Sequence, residues 1–298
     1  MMRIFVTGAT GFVGSAVVEE LIRAGHQVVG LARNEQAKKT LQSLGAEVHD
    51  GDLEDLKSLT AGARSADAVI HTGFIHDFSR FKEVCEIDRK AIEALGNALA
   101  GTNRPLIVTS GTLVVGSRQV VTENIFPDYE HSLNPRAASE QAVDRLAEKG
   151  INVSVVRLSP SVHGNGDRHG FIPMLIDLAK KSGVSAYVDQ GENRWTAVHR
   201  LDAAVLFQLA LQNTIPGMRF HGVAEESITL KSIAEAIGSK LGLPVVSKSG
   251  KEASEHFTWF EHFAGIDGPA SAASTRAQLN WHPSHPTLMQ DLQGNVYF

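Results

Sequence analysis

Three glycines near the start of the chain stand where the backbone alone could bind an anion. The segment TGATGFVG covers residues 7–14 and spaces Gly8, Gly11 and Gly14 regularly. An apolar run precedes it, and a stretch with apolar residues at helical spacing follows and stops at Gly25. A strand, a glycine turn and a helix N-terminus together leave N–H groups free for a phosphate. A plain tight turn between strand and helix is the alternative interpretation. The candidate phosphate-binding residues are Thr7, Gly8, Thr10, Gly11, Phe12, Val13 and Gly14.

Arginine follows the second apolar run, QVVGLA, which covers residues 27–32. In a dinucleotide-binding unit an acidic residue at this position binds the ribose 2′-hydroxyl of NAD, whereas arginine accommodates the 2′-phosphate of NADP. The residue here is Arg33, and Lys38 lies about one helical turn beyond it. The sequence therefore predicts NADP(H) as the cofactor, bound through Arg33 and Lys38. A solvated surface charge is the alternative for Arg33.

Alternating strand and helix patterns run through the first half of the chain. Strands are expected at residues 3–6, 27–32, 46–49, 67–71, 105–109 and 152–158, and helices at 15–24, 35–43, 53–61, 80–99 and 135–149. Six strands alternating with helices predict an α/β fold, a Rossmann-type doubly wound parallel sheet with helices on both faces. Small and polar residues after two of these strands, Asp52 and Leu53 in one turn and Thr72 and Gly73 in another, then lie at the ligand-binding edge of the sheet.

The pattern changes after Pro160. Residues 1–165 are predicted to form the dinucleotide-binding domain, and residues 166–298 a smaller α+β substrate-binding or capping region. Within that region helices are expected at residues 171–181 and 229–241, short strands near Ala186 and Met218, and a helical turn at the end of residues 268–279. Residues 195–212 are expected to pack back on the sheet.

Composition excludes several classes of protein. The net charge of −5 argues against a nucleic-acid or anionic-membrane partner. The single cysteine, Cys85, fits a reducing compartment, and the early first strand predicts no signal peptide. We expect a cytoplasmic protein whose partner is a small-molecule substrate. The oligomeric state is left open, and a homodimer is one possibility. No spacing of the 13 histidines matches a known metal-binding set, so no metal site is expected.

The chain resembles the extended short-chain dehydrogenase/reductase superfamily, the NAD(P)-dependent epimerase/dehydratase-like proteins. The resemblance covers nearly the whole length. It rests on TGATGFVG and on the segments GDLED, DAVIHTG, IVTSGTLVVG, VVRLSPSVHG and WTAVHRLDAA. It implies that Asp52 and Leu53 flank the adenine, that Ser110 or Thr112 supplies an active-site hydroxyl, and that Pro160, Ser161 and Val162 pack near the nicotinamide. His163 stands at the tyrosine of the family's VYG segment, where a histidine would be a candidate general acid.

The departure from the family pattern concerns its catalytic YxxxK pair. The helix that should carry the pair has Arg136 in the tyrosine position and Glu140 in the lysine position. A guanidinium stays charged near neutral pH and cannot transfer protons as a tyrosine does. Arg136 is then expected to be an electrostatic clamp, and Glu140 to hold the ribose or to anchor Arg136. A simple ion pair between these two residues, four apart on one helix, is the alternative.

Three functional hypotheses follow. The first is an NADP(H)-dependent oxidoreductase acting on a small carbonyl or imine compound, or in the reverse oxidation, with Ser110, Thr112, Arg136, Glu140 and His163 as candidate catalytic residues. The second is a non-catalytic NADP-binding sensor that has lost the catalytic pair. The third is an epimerase or dehydratase of the sugar-nucleotide type. The retained hydroxyls and the capping region favour the first.

Overall fold

Buried apolar runs and amphipathic segments alternate as strands and helices in the fold, which is described from a computed structural model. The structure describes residues 1–116, 119–132 and 134–298. The strands are β1 (Arg3–Thr7), β2 (Gln27–Ala32), β3 (Glu47–Asp50), β4 (Ala68–His71), β5 (Leu106–Gly111), β6 (Val153–Leu158), β7 (Ser161–His163), β8 (Ser185–Val188), β9 (Arg194–His199), β10 (Arg219–Gly222), β11 (Glu225–Thr229) and β12 (Val245–Lys248). The helices longer than one turn are α1 (Phe12–Arg23), α2 (Glu35–Ser43), α3 (Leu56–Arg64), α4 (Phe81–Ala98), α5 (Ala137–Glu148), α6 (Phe171–Ser182), α7 (Arg200–Gln212), α8 (Leu230–Leu241), α9 (Gly250–Phe257), α10 (Glu261–Gly265), α11 (Ala273–Leu279) and α12 (Leu288–Gln293).

Seven strands form one parallel sheet in the order β10-β6-β5-β4-β1-β2-β3. The strand order reverses at β1, which lies between β2 and β4. In open α/β sheets, ligands bind outside the carboxyl ends of the strands at such a reversal. The predicted Rossmann-type α/β fold is confirmed, and its switch point lies where the glycine-rich loop begins.

Helices cover both faces of this sheet. Ile4 and Val6 of β1 belong to one buried cluster and Phe5 to another, as alternate residues of a strand must. The first cluster includes residues of α1 and α7, and the second includes residues of α3, α4 and α5. Gly25, with φ at 84°, follows the end of α1 as its sequence position predicts.

A third apolar core underlies the C-terminal region. Trp195, Phe257 and Phe260 are fully buried there with residues of α6, α8 and α12. Strands β11, β9 and β7 form a small sheet, and β12 pairs with β8. Because β7 pairs with β9 while α7 packs against α1, the chain returns to the first domain after leaving it. The domain limits at 165 and 166 stay a prediction. In the described parts of the chain, every helix is too short or too polar to span a bilayer.

The strand near Met218 differs from its expected position. It was expected in the capping region, but β10 pairs in parallel with β6 and forms one edge of the central sheet. Its sequence, RFHG, lacks the apolar pattern of a buried strand, yet all four residues are buried. Polar partners compensate for this burial, since Arg219 pairs with the carboxylates of Glu140 and Asp144.

The helix expected at residues 53–61 starts three residues later, at Leu56. The carboxylate of Asp52 accepts two backbone N–H groups of the preceding turn, from Glu54 at 2.8 Å and Asp55 at 3.0 Å. Asp55 then caps the helix by accepting the N–H groups of Lys57 and Ser58. Two successive caps of this kind delay the helix start.

Candidate active site

The glycine-rich loop joins β1 to α1 at the carboxyl edge of the sheet. Gly8 has φ at 65°, and a Cβ atom there would lie 2.6 Å from the Cα atom of Gly73. A Cβ atom on Gly14 would lie 2.1 Å from the carbonyl oxygen of Gly8. Gly11 is exposed, and a Cβ atom there would approach nothing closer than 3.1 Å. Gly8 and Gly14 therefore permit close packing of the backbone, whereas Gly11 leaves the helix N-terminus accessible.

The first turn of α1 is open to a ligand. Gly11 caps the helix without a side-chain hydrogen bond, so within the described residues no side chain occupies the first amides. Thr10 is exposed, and Phe12 and Val13 are half-buried beside it. The positive end of the helix dipole and free N–H groups at this point suit a pyrophosphate.

Arg200, which sequence reasoning missed, brings a positive charge to the same loop. Its Nη2 donates to Ser15 Oγ at 3.0 Å, and its Nη1 donates to the Asn165 carbonyl at 3.0 Å. Its guanidinium lies 4.8 Å from the centroid of the Phe12 ring. Burial lowers the pKa of Arg200, and the charge of Glu19 opposes this shift. No short-range motif signals a contact between residues 15 and 200.

The two cations predicted to bind a 2′-phosphate differ in whether their charges are already paired with carboxylates. Arg33, directly after β2, is exposed and makes no hydrogen bond or ion pair within the described residues. The Lys38 Nζ atom lies 2.7 Å from Asp50 Oδ1 and 2.8 Å from Glu35 Oε1. Hydrogen bonds to these two carboxylates raise the pKa of Lys38. Arg33 is therefore available to an anion, while Lys38 is already paired.

The expected adenine and nicotinamide contacts lie around the glycine loop. Leu53 packs against Gly73, where a Cβ atom would lie 3.0 Å from Leu53 Cδ2. Thr72 Oγ1 donates to the Thr7 carbonyl at 2.7 Å. The Asp52 carboxylate is engaged with amides of its own turn. The structure thus brings Leu53, Thr72 and Gly73 next to the loop, and gives Asp52 a local capping role.

A buried chain of polar side chains runs from the glycine loop into α4 and α5. Thr7 Oγ1 lies 2.7 Å from His71 Nδ1, and His71 Nε2 lies 3.1 Å from Asp88 Oδ1. Ser139 Oγ donates to Asp88 Oδ2 at 2.6 Å, and Arg136 Nη1 is 3.5 Å from the same oxygen. Burial alone would raise the pKa of Asp88, but the Arg136 charge and the bonds with His71 and Ser139 lower it. Asp88 is therefore a buried carboxylate.

Arg136 lies at the start of α5 with part of its guanidinium uncommitted. Its Nη2 donates to the Thr109 carbonyl at 3.1 Å, and the guanidinium lies 3.7 Å from the centroid of the Phe74 ring. Its Nη1 atom is buried and makes no hydrogen bond within the described residues, although it lies 3.5 Å from Asp88 Oδ2 in an ion pair. The structure thus fixes a cation, paired in charge with Asp88, between the ends of β4 and β5.

Glu140 is expected at the ribose or against Arg136, but its contacts lie elsewhere. It accepts two hydrogen bonds from Arg157, at 2.8 and 2.7 Å, and one from Arg219 at 3.3 Å. The Ser110 hydroxyl donates to Glu140 Oε1 at 2.7 Å. Burial would raise the pKa of Glu140, but the two arginines and Ser110 outweigh it and lower the pKa. Glu140, Arg157 and Arg219 form a buried ion-pair network that also engages Ser110, and the alternative ion pair with Arg136 is not formed.

Two other expected residues keep unused hydroxyl groups. Thr112, directly after β5, and Ser161, at the start of β7, are buried, and their hydroxyl oxygens have no hydrogen-bond partner within the described residues. Pro160 and Val162 flank Ser161 and are half-buried. Buried polar atoms are rarely left unpaired, so these hydroxyls are candidates for ligand contacts.

His163 belongs to a different group of side chains. Its Nδ1 atom lies 2.7 Å from Asp291 Oδ2 on α12, and its ring meets that of His199 edge-on at 5.4 Å. It is buried, and its Nε2 atom is 3.8 Å from Glu225 Oε1. The structure places His163 against the C-terminal elements, and its expected role as general acid stays a prediction.

Three potential metal ligands, His199, Asp202 and His285, lie within 4.8 Å of one another. Hydrogen bonds already account for them, because His199 Nδ1 accepts the N–H of Leu201 and His285 Nδ1 lies 2.8 Å from Asp202 Oδ1. The two imidazole rings stack 4.9 Å apart at 8°, so their in-plane lone pairs do not converge on one ion. The expectation of no metal site stays a prediction.

Comparison with known proteins settles the family. A model of the NAD dependent epimerase/dehydratase family matches residues 4–220. The chain belongs to this family. An uncharacterised protein of Schizosaccharomyces pombe is 48% identical over 297 residues, which is 100% of both chains. The 2-alkyl-3-oxoalkanoate reductase of Stenotrophomonas maltophilia is 28% identical over 83% of this chain and 78% of its own.

A solved structure agrees in fold. The dTDP-glucose 4,6-dehydratase DesIV from Streptomyces venezuelae, with NAD and TYD bound, superposes with a TM-score of 0.78 at 17% identity, covering 98% of this chain and 95% of that one. The match to the family model confirms the resemblance drawn from the sequence motifs. Arg136 is a fixed cation over the Phe74 ring, and Glu140 is held in a buried ion-pair network. The loss of the family's catalytic pair at these two positions stays a prediction.

Proposed function

We propose that the protein is an NADP(H)-dependent oxidoreductase that reduces a small carbonyl or imine compound, or catalyses the reverse oxidation. The observation that carries the proposal is the open N-terminus of α1 after β1, together with the exposed guanidinium of Arg33 after the neighbouring strand β2. The first suits the pyrophosphate of a dinucleotide and the second suits its 2′-phosphate. The S. maltophilia relative, a reductase by name, supports the reaction class.

The residues present fit such a cofactor. The backbone at Gly8 and Gly14 is packed too closely for any side chain, and Gly11 leaves the approach to the helix open. The amides of Phe12 and Val13 would hold the pyrophosphate, since the Gly11 amide already donates to the Gly8 carbonyl at 2.9 Å. Arg33 would hold the 2′-phosphate, and Leu53 would line the adenine side. When bound, a nicotinamide dinucleotide supplies or accepts a hydride.

The protein's own contribution to the chemistry is electrostatic. Reduction places negative charge on the substrate oxygen or nitrogen, and Arg136 offers a positively charged donor beside the end of β4. The buried hydroxyl of Thr112 offers a second donor that can orient the substrate. Arg136→Ala is expected to lower turnover at least tenfold while leaving NADPH affinity within about twofold.

Titration calorimetry with NADPH and NADH tests the cofactor assignment. We expect NADPH to bind about 5- to 30-fold more tightly, corresponding to about 1–2 kcal/mol for one charge-assisted pair. Arg33→Ala should remove this preference, and Arg64→Ala, which changes an exposed arginine on α3, should keep it. Equal affinity of the wild type for both dinucleotides contradicts the assignment to NADP.

One observation favours a second candidate, a non-catalytic NADP-binding sensor. Glu140, which the sequence resemblance places at the lysine of the usual catalytic pair, is held by two arginines and Ser110 in structural contacts. An NADPH-oxidation screen over carbonyl and imine compounds separates the two candidates. Turnover of any compound well above the background rate favours the enzyme, whereas NADPH binding without turnover favours the sensor.

A further inference from the structure

The proposed reduction needs a group that transfers a proton, and the histidines and hydroxyls considered so far are engaged or distant. Ser110 donates its hydrogen to Glu140. Both ring nitrogens of His71 are occupied, one by Thr7 and the other by Asp88. His163 is buried against Asp291. An unperturbed threonine hydroxyl such as that of Thr112 can orient a substrate but is a poor acid.

His76 lies on the segment between β4 and α4, close to Arg136. Its ring meets the Phe74 ring edge-on, with centroids 5.3 Å apart. The guanidinium of Arg136 lies 3.7 Å from the centroid of that same Phe74 ring. His76 and the Arg136 guanidinium therefore contact the same Phe74 ring, and His76 is exposed to solvent.

We propose that His76 is the catalytic proton donor and acceptor of the proposed oxidoreductase, acting beside Arg136. In reduction, the carbonyl carbon gains a hydride from the reduced dinucleotide, which becomes oxidised. The carbonyl oxygen gains the proton of the His76 imidazolium, and Arg136 stabilises the charge on that oxygen before the transfer. The neutral imidazole then regains a proton from water. The inference rests on the proposed function.

The electrostatics of the site suit this exchange. Desolvation lowers the pKa of His76, and the positive charges of Arg136 on α5 and His169 on the loop before α6 lower it further. The Phe74 carbonyl and the Asp88 carboxylate on α4 act in the opposite direction. A histidine whose pKa is lowered in this way releases its proton more readily than a free imidazolium does. Reduction should therefore slow as pH rises through this pKa, and the reverse oxidation should slow as pH falls through it.

Kinetics of two matched variants test the role. His76→Asn should lower kcat for reduction by about 100-fold or more and abolish the pH dependence, with NADPH affinity within about twofold of wild type. His131→Asn, which changes an exposed histidine paired with Asp128, should behave as wild type. His76→Gly should regain activity when imidazole is added. If the wild type turns over a substrate and His76→Asn is fully active, this inference alone is overturned. If the wild type turns over no compound, the proposed function is overturned as well.

A titration by NMR supplies a readout independent of turnover. The imidazole signal that disappears in His76→Asn belongs to His76, and its pKa should lie below the usual value. Arg136→Met removes a charge that lowers the pKa of His76, so that pKa should rise in the variant. Arg145→Met, at an exposed position of the same helix, should leave it unchanged. The same pKa in all three proteins overturns the pairing of His76 with Arg136.

Discussion

Replacing Glu140 by glutamine is expected to destabilise the fold strongly without altering its shape. The carboxylate accepts three hydrogen bonds from Arg157 and Arg219, all buried, and one from Ser110. Glutamine is similar in size but neutral, so both guanidinium groups would stay buried without their shared counter-charge. Removing one partner of a buried ion pair costs about 3–5 kcal/mol. The free energy of unfolding of a whole domain is only about 5–15 kcal/mol, so this loss is large.

Differential scanning calorimetry measures the effect. With an unfolding entropy of about 2.1 cal/mol/K per residue over 298 residues, this loss corresponds to a fall in Tm of about 5–8 °C. Glu148→Gln, at an exposed position of the same helix, is the matched control and should shift Tm by less than about 1 °C.

An unchanged Tm in Glu140→Gln would refute the reasoning. It would mean that the two arginines find equivalent partners, such as Asp144, without the carboxylate. If Glu140→Gln keeps the wild-type Tm while Arg157→Met has a lower Tm, the stabilisation comes from packing of the arginine side chain rather than from the ion pair.

Three further outcomes are expected. Because the folded-state pKa values of Asp88 and Glu140 are lowered, their contribution to wild-type stability should be present above the unfolded-state pKa values of about 4 and be lost as pH falls through the lower folded-state values. Urea unfolding at a series of pH values should show a flatter slope in Glu140→Gln. Gly11→Ala should fold normally by circular dichroism and lose NADPH binding in calorimetry, whereas Gly14→Ala should lower Tm, since its Cβ atom would lie 2.1 Å from a carbonyl oxygen. Arg200→Ala should weaken NADPH and NADH binding by a similar factor, because its guanidinium borders the loop rather than the 2′-phosphate, and a change in their ratio would contradict this.

Most of the fold could be predicted from local sequence patterns. The strand–glycine–helix unit at residues 3–23 and the amphipathic helices follow from the spacing of nearby residues, and their predicted bounds agree with the structure within a few residues. The position of β10 in the central sheet was not predicted, because Arg219 and His221 are polar and do not form the apolar pattern of a buried strand. Partners distant in the sequence compensate for the burial of these two side chains.

The site was harder to predict than the fold, because its contacts join residues far apart in the chain. Glu140 pairs with Arg157 and Arg219, which are 17 and 79 residues away, and Arg200 reaches Ser15 across 185 residues. The position of Glu140 in a family motif suggested a ribose contact. The position within a motif does not reveal which charged groups surround the side chain in the folded protein. His76 lies outside every motif used, so only its ring contact with Phe74 draws attention to it.

The ion-pair network around Glu140 also restricts which residue can stand at position 140. A lysine at position 140 would place an ammonium group against the buried guanidinium groups of Arg157 and Arg219. Arg219 would keep its contact with Asp144, but Arg157 would lose the carboxylate that pairs with it, so three buried cations would be far less stable than the present arrangement. A lysine at this position would therefore require simultaneous changes on α5, β6 and β10. The network thus ties the identity of residue 140 to two arginines on strands distant from it in the sequence.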